Sequence, residues 1–190
     1  MRIISGKYKG RKLETLTGKQ LRPTMGVARE AIFNILSHGE FGVEGFLDGC
    51  RVLDLFCGCG ALAAEALSRG AEKAVLIDIN QNHLDTARHN IRHMGEEANS
   101  IFIRADSSNP PPARVTCNLI FIDPPYKESL VNNTLQNLVK SNWLENQAIV
   151  VIETWKKEDI VMPEGFTEVH DRHYGNCRIR LLRWHKAHGS

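Results

Sequence analysis

The stretch Arg51-Val52-Leu53-Asp54-Leu55-Phe56-Cys57-Gly58-Cys59-Gly60-Ala61 runs from an apolar segment through a glycine-rich turn into the start of a helix. Residues 51–55 have the pattern of a buried strand bounded by turn residues. Gly58 and Gly60 allow a tight turn and let backbone approach a ligand closely. A helix over 61–69 is closed by Gly70. With Ala63 the spacing reads G-x-G-x-x-A, which by itself also fits dinucleotide binding.

The same alternation continues downstream. A strand is expected at 74–78, then a helix at 81–94. Asn80 is its N-cap, Leu84, Ala87, Ile91 and Met94 form its apolar stripe, and Gly95 follows it. Further strands are expected at 100–105, 117–122 and 148–153, with three prolines at 110–112 and a helix at 128–140. Strands alternating with helices imply a parallel sheet covered on both faces. Residues 166–172 and 177–184 read as two strands joined across Gly175-Asn176, an antiparallel edge. Upstream, Val27, Ala28, Ala31, Ile32, Ile35 and Leu36 mark a helix over 27–37, and 39–49 is a glycine-rich connection. Residues 2–15 alternate weakly around Gly6 and Gly10, as a small hairpin would.

A chain of 190 residues is long enough for one well-buried domain. Its 42% hydrophobic and 24% charged content is that of an ordinary soluble protein, with no apolar run long enough to span a bilayer. The start, Met1-Arg2-Ile3-Ile4-Ser5-Gly6-Lys7, lacks an apolar signal core, so a cytoplasmic location is expected. Five cysteines, several in apolar surroundings, fit buried thiols better than disulfides. Cys57 and Cys59 lack a second Cys/His pair at ligand spacing, so no metal is expected.

The net charge of +2 conceals an asymmetry. Residues 1–22 hold seven Lys/Arg against one acid, Glu14, and residues 172–190 hold five and no acid. The body between carries twelve basic and twenty-one acidic residues. Basic ends on an acidic body suggest a positive surface for a polyanion.

Acids close the strands in order: Asp54, Asp78, Asp106 and Asp123. Ligands of such sheets gather beyond the carboxyl ends of the strands. Asp78 is placed to accept from ribose hydroxyls and Asp106 from an adenine amine. Asp54 separates two nucleotide readings, because a carboxylate beside the helix N-terminus would repel a pyrophosphate. A cofactor with an amino group and a sulfonium tolerates it, and S-adenosylmethionine is such a cofactor. Asp123-Pro124-Pro125-Tyr126 ends the apolar run Leu119-Ile120-Phe121-Ile122. The prolines remove backbone donors and leave outward carbonyls, the carboxylate adds acceptors, and the ring offers a stacking face. That set suits a planar group bearing an NH2.

These four loops together resemble the class I S-adenosylmethionine-dependent methyltransferases, and D-P-P-Y resembles the loop of enzymes that methylate exocyclic amines of nucleobases. The match goes closer. Arg2-Ile3-Ile4-Ser5-Gly6-Lys7-Tyr8-Lys9-Gly10-Arg11, Arg22-Pro23-Thr24, Arg29-Glu30-Ala31-Ile32-Phe33-Asn34, Leu53-Asp54-Leu55-Phe56, and Ala61-Leu62 followed by Glu65-Ala66-Leu67-Ser68-Arg69-Gly70-Ala71 resemble the bacterial RsmD family. The resemblance runs nearly end to end. Two departures stand out: Met25-Gly26-Val27 where the family usually shows Thr-Asp-Arg or Thr-Asp-Lys, and Cys57 and Cys59 where Ala and Ser are usual.

The resemblance implies an α/β, Rossmann-like class I fold: a mostly parallel seven-stranded sheet with an antiparallel C-terminal edge. A basic extension over 1–24 would precede a methyltransferase domain over 25–190. It implies methyl transfer to the N2 amine of a guanine in small-subunit (16S) ribosomal RNA; the expected partner is that RNA within a small-subunit particle, and the protein is expected to act as a monomer away from any membrane. Asp123, Pro124, Pro125 and Tyr126 would be catalytic. Asp54, Phe56, Cys57, Gly58, Gly60, Asp78, Ile79, Asp106, Ser107 and Asp123 would hold the cofactor. Arg2, Lys7, Lys9, Arg11, Lys12, Arg22 and Arg29, with the C-terminal arginines, would meet RNA phosphates. The histidines 170, 173, 185 and 188 are expected at the surface. Trp143, Trp155 and Trp184 are expected in packing, while Tyr8 is weighed as a base-stacking group. A DNA or other RNA amino-methyltransferase and a non-catalytic RNA-binding assembly protein are the alternatives. A protein-glutamine methyltransferase would more typically carry Asn at 123, and a nicotinamide oxidoreductase is disfavoured by Asp54.

Overall fold

A computed structural model describes residues 1–16, 23–38, 45–125, 130–156 and 159–186. In chain order its elements are α1 (Pro23–His38), β1 (Arg51–Leu55), α2 (Ala61–Ser68), β2 (Lys73–Asp78) and α3 (Gln81–Met94). Then come β3 (Ser100–Arg104), β4 (Cys117–Ile122), α4 (Leu130–Lys140), β5 (Leu144–Trp155), β6 (Phe166–Tyr174) and β7 (Cys177–Trp184). One seven-stranded sheet has the order β3-β2-β1-β4-β5-β7-β6. Strands β1 to β5 pair in parallel, and β7 runs antiparallel to both β5 and β6. The strand order reverses between β1 and β4, so the crevice lies outside their carboxyl ends, at Phe56 and Asp123.

Each central strand is apolar on both faces because both are covered. Val52, Leu119, Phe121, Ile149, Val151, Ile179 and Leu181 meet α1, α2 and α3, whereas Leu53, Ile120, Ile122, Val150 and Ile152 meet α4. Period-2 alternation of side chains produces this split.

The α3 stripe is buried as the sequence predicts, Asn80 accepts from the Asn82 N–H at 2.9 Å, and Gly95 closes the helix at φ 79°. The α1 stripe is rotated from the sequence expectation. Val27 is 57% exposed, while Phe33, outside the expected stripe, is buried. The Phe33 ring lies 5.7 Å from that of Phe121, with the Arg69 guanidinium 4.8 Å from its centroid. Aromatic packing against the sheet therefore sets the helix rotation. Strand β5 starts earlier than the expected 148. Its register slips between Cys117↔Leu144 and Leu119↔Ile149, and Gln147 sits at φ 66°, so only the regular part showed in the sequence. Trp143 and Trp184 are buried, and Trp155 is partly exposed.

The N-terminal residues turn back on themselves through an Arg2↔Lys12 bridge and bonds between Ile3 and Arg11 and between Gly10 and Ile3. This arm is bolted to α2. The Glu65 carboxylate accepts the N–H groups of Ile4 (2.8 Å) and Ser5 (3.0 Å), and Ser68 accepts from Lys7 and Tyr8. Gly6 is required there, because a Cβ would stand 1.8 Å from the Ser68 carbonyl oxygen.

Candidate active site and nucleic-acid interface

At the switch point the glycine turn is built from backbone geometry. Phe56, Gly58 and Gly60 all have positive φ (59°, 54° and 74°). A Cβ on Gly60 would lie 3.0 Å from both Ala87 and Leu76, so this glycine lets α2 start tight against β2 and α3. As the N-cap of α2, Gly60 has no side chain to satisfy the helix's first N–H groups. Asp54 reaches across from β1 instead, its Oδ2 accepting the Ala63 N–H at 3.1 Å. Asp54 is 1% exposed, and burial pushes its carboxyl up to about 7 against the lowering effect of that bond, with Asp78 adding a smaller upward push. The acid expected to face the cofactor thus serves α2 first, accepting an N–H that its glycine N-cap leaves without a side-chain partner.

Asp78 ends β2 and is nearly saturated. It accepts from the N–H groups of Gly58 (3.0 Å) and Asn80 (2.9 Å), and His83 Nδ1 lies 3.1 Å away. A carboxylate has about four acceptor sites, so at least one remains for a ribose hydroxyl. Beside it Ile79 is 66% exposed, an apolar side chain suited to the face of a purine. Asp106 is exposed and accepts from the N–H and hydroxyl of Ser108. Ser107 is buried, donates to the Ile77 carbonyl and accepts from the Phe56 N–H. It braces the loops, and its hydroxyl does not point to solvent. Cys57 is also buried, and burial raises its thiol well above the usual range. Phe56 packs on the α4-side core, so this loop meets a ligand chiefly with backbone.

Asp123 follows β4 directly, with Pro124 buried and Pro125 exposed. Tyr126 and Arg22 lie outside the described residues, as does His188. Among the described residues no group of three or more His, Cys, Asp or Glu could hold a metal ion, and no helix is long and apolar enough to cross a membrane.

Five basic side chains of the arm, Arg2, Lys7, Lys9, Arg11 and Lys12, are exposed. Arg29, expected at this surface, is instead 7% exposed, with its guanidinium on the Arg2 carbonyl (2.6 Å) and the Met1 sulfur (2.7 Å). Its spacing on the apolar face of α1 buries it. Tyr8 is likewise structural: it is half-buried, its hydroxyl donates to Glu96, and Lys7 and Arg11 lie 4.9 and 5.2 Å from its ring centroid. The C-terminal arginines are partly neutralised. Arg178 pairs with Asp171, and Arg180 is buried 3.7 Å from Glu168. The arm, with Lys7 3.4 Å from Glu96, sits on α2 and α3, whereas β6 and β7, which carry the exposed Arg172, form the far edge of the sheet.

Several site residues escaped the sequence reading. Asn90 donates to the carbonyls of Cys59 (2.9 Å) and Glu14 (3.1 Å) and accepts from the Glu14 N–H, joining arm to glycine turn. Its signal was a polar residue inside an apolar stripe, as was Glu65 within an alanine-rich helix. His83 had a weaker signal, three residues beyond the N-cap and so facing back to Asp78.

The sheet order, the glycine turn after β1 and the acids at the strand tips define a class I methyltransferase architecture. A family model described as Conserved hypothetical protein 95 matches residues 1–183, and the chain belongs to that family, the one the RsmD resemblance indicated. Among curated proteins, the chain is 31% identical over 192 residues to "Ribosomal RNA small subunit methyltransferase D" of Escherichia coli, covering 96% of this chain and 89% of that one. The protein of the same name from Haemophilus influenzae is 30% identical over 187 residues, covering 96% and 93%. Among solved structures, the yhhF protein of Escherichia coli superposes with TM-score 0.81 at 25% identity, over 98% of each chain.

Proposed function

We propose that the protein transfers a methyl group from S-adenosylmethionine to the exocyclic N2 amine of a guanine in small-subunit ribosomal RNA, releasing S-adenosylhomocysteine. The observation that carries this is the placement of Asp123-Pro124 at the tip of β4, beside the glycine turn of β1 at the switch point. The names of the Escherichia coli and Haemophilus influenzae relatives support ribosomal RNA as the substrate class.

The cofactor would lie on the backbone of Phe56, Cys57, Gly58 and Gly60. Asp78 would take its ribose, Ile79 its adenine face, and Asp106 its adenine amine, while buried Asp54 and Ser107 hold the turn in shape. When bound, it supplies an electrophilic methyl carbon. The lone pair of a guanine amine is delocalised into the ring and is a poor nucleophile. The Asp123 carboxylate and Pro124 carbonyl accept its two hydrogens, aim the lone pair and favour positive charge on nitrogen. The new C–N bond forms as the C–S bond breaks, and the surplus proton passes to Asp123 and on to solvent. Pro125 keeps the loop rigid and Tyr126 would stack on the base. A base in folded RNA must be exposed or flipped to enter.

The arm, as part of a 1–24 extension on a 25–190 catalytic domain, would hold phosphates through Arg2, Lys7, Lys9, Arg11, Lys12 and Arg22 and add no sequence reading. We further take the protein to act as a cytoplasmic monomer on a small-subunit particle. The test is methyl transfer from labelled S-adenosylmethionine to 30S particles, free ribosomal RNA and DNA, with nucleoside analysis. Labelled N2-methylguanine from the RNA is expected, and label in N6-methyladenine from DNA overturns the reading.

A further inference from the structure

A second carboxyl stands beside Asp123. In the β4–β5 register Ile122 faces Ile152, and continuing that register one step sets Asp123, just past the end of β4, beside Glu153 of β5, at about the 4.8 Å spacing of paired strands. Alternation puts them on one face: Leu119 and Phe121 of β4, like Ile149 and Val151 of β5, meet the α1–α3 layer, and Asp123 and Glu153 continue those rows. Cys177, first residue of β7, belongs to the same layer, and its thiol is pushed up by burial and by both Glu153 and Asp123. The three groups therefore share one space at the carboxyl end of the sheet.

Glu153 is poorly provided for as a purely structural residue. Burial raises its carboxyl, and among the described residues the offset is a hydrogen bond from the Cys177 thiol, a weak donor. No cation compensates it among the described residues. A carboxyl so placed is available to a donor brought by a ligand, which would favour its ionised form.

We propose that Glu153 is a second, specificity-determining carboxyl of the base pocket, accepting the ring N1–H of guanine beside the amine held by Asp123 and Pro124. This rests on the guanine reading above and deepens it. Guanine offers two adjacent donors on this edge, N1–H and the N2 amine, and the paired strands offer two adjacent carboxyls. Adenine offers an amine beside a bare N1 lone pair, which an ionised Glu153 repels. Asp123 alone grips any exocyclic amine, and Glu153 makes the grip selective.

The test uses the full chain, S-adenosylmethionine, and ribosomal RNA ligated with guanine or 2-aminopurine at the mapped methylated position. The analogue keeps the N2 amine but has a lone pair at N1. The wild type is expected to favour guanine in kcat/KM by at least about 100-fold, since a site built for a donor rejects an analogue lacking it. Glu153→Gln, whose amide can accept or donate, is expected to shrink that ratio at least about tenfold. Glu153→Asp should keep the preference with a slower rate. An unchanged ratio in Glu153→Gln, or a wild type that uses both bases equally, overturns the proposal. Wild-type label on an atom other than guanine N2 instead overturns the functional reading on which it stands.

Discussion

Replacing Gly6 with alanine tests whether the basic arm is a fixed part of the catalytic domain, and Gly10 supplies the control. Both glycines have left-handed backbone, φ 81° and 82°. A side chain there costs about 1–2 kcal/mol, partly offset by about 0.4–1 kcal/mol from a stiffer unfolded chain. At Gly10 nothing lies within 4 Å of the new Cβ, so Gly10→Ala should cost only about 1 kcal/mol. At Gly6 the Cβ would stand 1.8 Å from Ser68 O and 2.3 Å from Ser68 C. Those atoms are helix backbone and cannot rotate aside. The arm must lift, and the bonds from Ile4 and Ser5 to Glu65, and from Lys7 and Tyr8 to Ser68, are lost. At about 1 kcal/mol per bond, and more for a buried carboxylate left short of donors, Gly6→Ala should cost about 3–5 kcal/mol beyond Gly10→Ala. Urea unfolding of the two variants in parallel measures the difference. Limited proteolysis should cut the Gly6→Ala arm at its lysines and arginines, and affinity for ribosomal RNA should fall with it. Variants matching within about 1 kcal/mol, with arms equally protected, would refute the docking energetics.

Asp123→Ala should lower kcat/KM for methyl transfer by at least about 100-fold while cofactor affinity, followed by titration calorimetry, moves only a few-fold. Undiminished transfer would remove Asp123 from the mechanism. Changing Lys7, Lys9, Arg11 and Lys12 together to alanine should flatten the plot of log affinity for ribosomal RNA against log salt by about three to four units, leaving cofactor binding intact. An unchanged slope would place the RNA elsewhere. Asp54 titrates at about 7 in the folded protein and at 3.8 when unfolded. The native state therefore keeps a proton that the unfolded chain releases, and stability from this group falls as pH rises from about 4, the loss being complete above about 7. Asp54→Asn should remove that fall, on the order of 3 kcal/mol at most, when urea midpoints of the cofactor-free protein at pH 5 and 8 are compared with wild type. Parallel pH curves for the two proteins would place the proton on another group.

The elements of the sheet were legible because they rest on local chemistry. Asn80 and Gly95 bracket α3 by capping a helix terminus and by allowing left-handed backbone, effects that reach no further than a turn. The acids at the ends of β1, β2 and β4 were legible for a related reason: a parallel sheet puts every strand end on one rim. Val27 was put in the apolar stripe of α1 and Phe33 left out of it because helical spacing leaves the rotation of the helix open by one residue. Packing of Phe33 on Phe121 fixed it. Asp54 was read toward a ligand because a sequence cannot show that Gly60 leaves a helix N-terminus uncapped within its reach.

By itself the sequence determined the order of strands and helices, the tight turn at Gly58 and Gly60, the acceptor-rich tip at Asp123-Pro124-Pro125 and the excess positive charge before residue 23. Each depends on neighbours a few residues apart. Only the tertiary structure decided that Asn90 ties the arm to the glycine turn, that Arg178 and Arg180 are matched by acids on β6, and that Glu153 stands next to Asp123. The first and last of these pairings join residues far apart in the chain and the arginine pairings cross one hairpin, but all are set by strand register and helix docking, which are outcomes of burying one core.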